Sequence, residues 1–304
     1  MMNFNNLFNM QGMMFALMIL GLFLRKREII TDKNKGLLTD LVIDVTLPCS
    51  IIRSFEMDFD AEVLKSCLVI FLVAIAIQIG TYLLGLVLYP HCETRRKKVL
   101  QYATICSNAG ILGNPIAEGV FGSVGLLYAS LYLIPQRCFM WSLGLTYFTE
   151  CPDKKSLVKK VLTHPCIIAV FIGLPMMIFQ ITLPGVVRQT VHTLAGANTA
   201  VSMLLIGSIL AGQKFRGLWD QMTLYYAFVR LILIPFLVWL PCAMLGLEPL
   251  VTGVAVVLAG MPAASVTAIL AAKHDCDAIF AARCVVSSTL LSMLTVPLWC
   301  IFLG

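Results

Sequence analysis

Charge is the scarcest commodity in this 304-residue chain: only 12% of its residues are Asp, Glu, Lys or Arg, about half of what soluble domains carry. Its four histidines (His91, His164, His192, His274) show no H-E-x-x-H spacing, and its eleven cysteines form no C-x-x-C pair. Neither a zinc site nor a disulfide framework is signalled, so the cysteines read as small apolar packing residues. A G-x-x-x-x-G-K-[ST] loop is also missing, so nothing in the chain points to ATP as a driving force. No cofactor or metal is implied.

What fills the chain instead is apolar sequence: 59% hydrophobic residues and a mean hydropathy of +0.90. A bilayer core needs about 20 apolar residues per helical span. Segments of that kind run near 5–24, 37–54, 64–89, 99–121, 124–148, 163–182, 189–211, 221–245, 250–272 and 280–303. The expectation is an all-α integral membrane protein with ten spans and no separate soluble domain. Lysine and arginine concentrate in cytoplasmic loops. Here the odd-numbered loops hold 17 of the 22 basic residues, in "RKREIITDKNKG", "RRKK" and "KKSLVKK" and at Lys214, Arg216, Lys273 and Arg283. The even-numbered loops and their flanks hold Arg53, Lys65 and Arg188, and the second is acidic, "RSFEMDFDAE". Both termini are therefore expected outside the cell membrane. The first span does not read as a cleaved signal peptide, because its basic residues follow the apolar run. The net charge of +6 is this asymmetry summed; it implies anionic lipid headgroups as neighbours and gives no reason to invoke nucleic acid.

Cutting near residue 155 leaves two halves, 5–150 and 162–304, of five spans each. An odd number per half makes the second copy enter the membrane inverted. The fourth span of the first half contains "ILGNPIAEG" and its counterpart "VLAGMPAAS". Matching Gly113-Asn114-Pro115 with Gly260-Met261-Pro262 sets the prolines 147 residues apart. Paired Gly/Pro-interrupted helices in inverted repeats point to the binding site of a secondary transporter. Proline removes a backbone donor and clashes with the preceding turn, and freed backbone groups in lipid need partners. A helix opened there offers polar groups to a substrate, and the half-helix starting after each proline brings a partial positive charge suited to an anion.

At these residues the sequence resembles the auxin efflux carrier family, which includes plant PIN-type auxin transporters and bacterial permeases for malate, malonate and related acids. A pattern N-x-x-x-x-G-x-P is matched by Asn108, Gly113 and Pro115, and a second by "MPAASVTAILAAKHD". "SMLLIGSILAG", "TLPCSIIRSF" and "STLLSMLTVPL" also look like the family, so the resemblance covers essentially the whole chain. It implies a ten-helix transporter in two inverted five-helix repeats with broken, crossing helices 4 and 9. Spans 1, 2, 6 and 7 would form a scaffold that dimerises, and the other six a moving transport unit. The long central loop of the plant members is replaced by "TECPDKKSLVKKVLTH", which favours a bacterial-type permease.

Other polar residues at membrane depth divide between function and structure. Arg137 and Arg230 both fall roughly 15–20 Å into their spans, where a charge costs about 2.5–3.5 kcal/mol. Each either neutralises a substrate carboxylate or pairs structurally. Asp44, four residues before Pro48, and Glu118, three after Pro115, are candidates for binding a coupling ion; helix capping also fits Glu118. Asn198 either lines the cavity or bonds between helices. The expected substrate-binding set is thus Asn108, Gly113, Asn114, Pro115, Gly260, Met261, Pro262, Arg137 and Asn198.

The function this describes is secondary active transport of small organic anions, mono- or dicarboxylates, by alternating access, with H+ or Na+ as the coupling ion. A channel would show charge rings or repeated filter loops. An intramembrane enzyme would need a nucleophile with a base, or paired metal ligands, at depth; the histidines lie near span ends instead.

Overall fold

The computed structural model describes residues 4–31, 33–56, 61–90, 92–141, 143–148, 162–211, 219–264, 266–274 and 276–303. Helices occupy the apolar windows. In chain order they are α1 (Phe4–Lys26), α2 (Lys35–Asp40), π1 (Leu41–Thr46), α3 (Leu47–Ser54), α4 (Ala61–Val87), α5 (Thr94–Ile105), π2 (Ala109–Gly113), α6 (Asn114–Trp141) and α7 (Leu143–Thr146). The second half adds α8 (Pro165–Ile178), α9 (Gly185–Ala211), α10 (Gln221–Phe228), π3 (Val229–Leu233), α11 (Ile234–Met244), α12 (Pro249–Ala259), α13 (Val266–Lys273) and α14 (Ala278–Leu303). Among the described residues there is no β-strand, only one isolated antiparallel bridge. The linker at 151–161, where the halves would join, and the basic residues Lys214 and Arg216 lie outside the described residues.

Among the described residues four helical stretches are long and apolar enough to cross a bilayer: Glu62–Val87, Ala109–Met140, Gln221–Met244 and Ala278–Leu303. Large apolar side chains point outward along them: Leu83 on α4 is 54% exposed and Leu294 on α14 is 66% exposed. In water an outer face of this kind would be an aggregation surface, whereas lipid tails solvate it at no cost. The windows at 99–121 and 124–148 hold two helices that meet at a kink in the gap between them. Helix α6 runs through the gap, with its two limbs meeting at Gly122 (φ 72, ψ −163). Only a residue without a Cβ takes that conformation freely.

Proline sets the three wide turns. Each π segment ends two residues before a proline: π1 before Pro48, π2 before Pro115, π3 before Pro235. The ring clashes with the carbonyl four residues back and supplies no N–H. Here the helix answers by widening by one residue per turn rather than by breaking. α1 and α9 pack backbone to backbone through small residues. A Cβ on Gly21 would stand 2.2 Å from the Leu204 carbonyl oxygen, and one on Gly207 1.9 Å from that of Met18. Substituting either forces these helices apart.

Candidate site at the crossing of two broken helices

Backbone between α5 and π2 is extended at Cys106, and the chain between α12 and α13 is likewise open. The two openings meet. Ser107 and Ala263 form the antiparallel bridge; Asn108 N–H donates to the Pro262 carbonyl at 2.7 Å and Ala264 N–H to the Cys106 carbonyl at 3.1 Å. These two bonds relate the openings by a local two-fold, which makes Cys106 equivalent to Pro262, Ser107 to Ala263 and Asn108 to Ala264. The proline-to-proline match from sequence does not survive. The first opening lies at Cys106–Asn108, ahead of Gly113, Asn114 and Pro115, which are buried where π2 passes into α6. Pro115 widens a helix, as argued above, and does not break one. In the second opening Gly260, Met261 and Pro262 do sit at the break and are buried.

Seven backbone carbonyls at the crossing, those of Ala103, Thr104, Cys106, Ser107, Asn108, Met261 and Pro262, are bonded within the protein. Arg230, 2% exposed, reaches the Met261 carbonyl through Nε and the Thr104 carbonyl through Nη1, both at 2.8 Å. Tyr226 Oη donates to the Ala103 carbonyl at 2.9 Å, and Gln136 Nε2 to the Ser107 carbonyl at 2.8 Å. The Ser288 hydroxyl accepts from Ala263 N–H at 3.2 Å. Of the two readings open for Arg230, the structural one holds: its planar fork ties one broken helix to the other.

Donors are what remain. The N–H groups of Ala109, Gly110 and Ile111 open a new helix and have no intrahelical partner; the first bonds made to the Asn108 carbonyl come from Leu112 and Gly113. Asn108 is half-buried, and among the described residues its side chain makes no hydrogen bond. Arg137 lies alongside: a Cβ on Gly110 would stand 2.8 Å from Arg137 Nη2. Among the described residues Arg137 pairs with no carboxylate, and its Nη1 contacts Met140 Sδ at 3.8 Å. Free N–H groups at a helix start, an amide and an unpaired guanidinium make an electropositive place.

The other expected site residues are placed elsewhere. Asn198 on α9 is fully buried and accepts from the Thr46 hydroxyl at 3.1 Å. Asn114 is equally buried, with neither amide atom partnered. Glu118, expected as a helix cap or an ion site, meets Arg53 of α3 in a salt bridge and accepts from Ser50 Oγ at 3.3 Å. Asp44 is exposed, near enough to Cys166, as is Arg137, to act on it electrostatically. Sequence reading missed Gln136, Ser288, Thr46 and Ser202. Gln136 carried a signal, a lone amide in an apolar segment; small hydroxyls look like packing residues until a neighbour is seen.

The sequence has matches among known proteins. A model of the family described as membrane transport protein matches residues 13–159 and 152–300. The chain belongs to that family, the auxin efflux carriers. It is 28% identical over 296 residues to an uncharacterized transporter of Methanothermobacter thermautotrophicus, covering 95% of each chain. A Methanocaldococcus jannaschii uncharacterized transporter is 25% identical, covering 93% of this chain and 94% of its own. The Escherichia coli uncharacterized transporter YfdV is 23% identical over 93% of both. This family member is a multi-pass membrane transport protein.

Proposed function

We propose that this auxin efflux carrier relative is a secondary active transporter of small organic anions, mono- or dicarboxylates, that works by alternating access. The reading includes ten spans in two inverted repeats, 5–150 and 162–304, with both termini outside the cell membrane and a scaffold that pairs two copies. One observation supports the anion above all. At the crossing seven carbonyls are bonded within the protein, while the N–H groups of Ala109–Ile111, the Asn108 amide and Arg137 are left. A carboxylate meets the three N–H groups, the Asn108 Nδ2 and a guanidinium, whereas among the described residues the side-chain acceptors left for a cation there are the amide oxygens of Asn108 and Gln136.

The test is a thermal-shift search of organic acids with the purified protein, since a ligand of the folded state raises its apparent stability. Counterflow in proteoliposomes with the acid that binds best then follows. Asn108→Leu removes donor and acceptor at near-constant volume, costing about 1–3 kcal/mol, or roughly 5- to 150-fold in affinity. Wild-type affinity in that variant places the site elsewhere. Non-saturating flux without counterflow replaces the carrier by a channel.

A further inference from the structure

The Arg53–Glu118 salt bridge joins α3 to α6, which on the carrier reading are parts of the scaffold and of the moving unit. It sits on a polar seam in otherwise apolar packing. Thr46 and Ser50 are one turn apart on one face, as are Asn114 and Glu118 on α6 and Asn198 and Ser202 on α9. The seam is stitched by Thr46 to Asn198 and by Ser50 to Glu118. Asn114 Nδ2 and Oδ1, Asn198 Nδ2 and Ser202 Oγ are buried there without partners. Buried polar groups are rarely left so unless water reaches them. The seam can therefore carry water between α3, α6 and α9 up to the Glu118 carboxylate.

A second carboxylate waits for Arg53. Glu56, three residues on, accepts from Arg188 Nε at 2.9 Å and pairs with His192 Nε2 at 2.8 Å, both on Oε2. Its Oε1 is buried and unpartnered. Glu56 lies two residues past the end of α3, with its N–H on the Arg53 carbonyl at 3.1 Å, so a second carboxylate stands close along the chain to Arg53. Besides Arg53, no charged side chain among the described residues forms an ion pair with Glu118; its other partner is the neutral Ser50. Glu56 is faced by Arg188 and His192.

We propose that Glu118 is a proton-binding site that latches α6 to α3 when ionised and releases it when protonated, Arg53 then turning to Glu56. The proton adds to a Glu118 carboxylate oxygen from water in the seam and leaves by the same oxygen, so Arg53 keeps its charge throughout. Burial raises the Glu56 carboxyl, but His192 and Arg188 outweigh it and hold it below the ordinary carboxylate range. Glu56 thus stays ionised to receive Arg53 while Glu118 titrates. Release of the latch frees the transport unit to move, which couples anion movement to protons. The proposal rests on the carrier reading for its consequence, and its test is arranged to fail separately.

The test needs no substrate. In a cysteine-free version, nitroxide labels go on cysteines placed at Ser123, beyond α6's first limb, and at Val187 on α9, both exposed. Electron-spin distance distributions are recorded in nanodiscs from pH 8 to pH 5. A longer component should grow in the otherwise unaltered protein as pH falls. Glu118→Gln, which imitates the protonated acid, should show that component at every pH, and Arg53→Lys should retain the titration. A pH-invariant distribution in the unaltered protein, or a titration that persists in Glu118→Gln, overturns the proposal. Absence of organic-acid counterflow at any pH would instead overturn the carrier reading and leave the distance titration standing.

Discussion

Gly110→Ala is the sharpest probe of the crossing, because stability and binding should move in opposite directions. The new methyl would stand 2.8 Å from Arg137 Nη2, well inside ordinary contact of about 3.5–4 Å. Something has to yield, and the guanidinium, at the end of a flexible chain, moves more easily than backbone. The fold therefore loses little, and alanine in place of helical glycine returns about 0.5–1 kcal/mol. The anion loses its charged partner. A hydrogen bond to a charged group contributes about 1.5–3 kcal/mol, which corresponds to roughly 10- to 150-fold in affinity. Thermal unfolding in detergent reads the first quantity, and calorimetric or scintillation-proximity titration with the best-binding acid reads the second. Arg137→Gln should lose affinity to the same degree. The double variant should be no worse than either single, since both remove one contact and neighbouring sites do not add. Wild-type affinity in Gly110→Ala, or losses that sum in the double variant, would refute the assignment of Arg137 to the site.

Arg230→Met leaves the Thr104 and Met261 carbonyls without partners. That costs about 3–6 kcal/mol in charge-assisted bonds, offset by about 2.5–3.5 kcal/mol for no longer holding a charge at depth. The net runs from about −0.5 to about 3.5 kcal/mol of stability lost in denaturant unfolding, and a gain larger than about 0.5 kcal/mol would contradict the bracing role. Pro115→Ala should narrow π2 to a regular α-turn and rotate Asn108 and Gly110 relative to α6, lowering transport more than thermal stability; unchanged counterflow would show that the wide turn is dispensable. Arg96 Nε meets Asp277 at 2.9 Å at the basic end of the helices. Burial raises the Asp277 carboxyl, but the Phe280 N–H and Arg96 outweigh it and hold it below its ordinary value of 3.8. A depressed carboxyl adds stability that is present above the unfolded value and lost as pH falls through the folded one. Asp277→Asn should therefore unfold with less pH dependence below about pH 4, and an unaltered acid limb would dismiss the pair.

Solvent and helix placement were legible in the chain itself, because they rest on local quantities. Twenty-residue apolar windows and scarce charge specify helices in lipid, and the helices observed fall over those windows. Asn108 and the "MP" at 261–262 were also readable as a paired weakness, since polar and helix-breaking residues in an apolar segment are conspicuous. Where the helices open was not. Sequence put the first break at Pro115, but a proline in a helix has two outcomes, a wide turn or a break, separated by a few kcal/mol. The outcome depends on who satisfies the freed backbone. At Cys106–Asn108 the satisfying partners are Ala264, Pro262 and Gln136, brought from as far as 158 residues along the chain. The same long-range contacts decided that Arg230 braces while Arg137, equally deep by count, meets no carboxylate among the described residues. They also decided that Glu118 answers to Arg53. A charge's depth is written in the order of residues; its partner is decided by which helices come to lie beside it, because an ion pair in a low-dielectric interior is a property of distance in space.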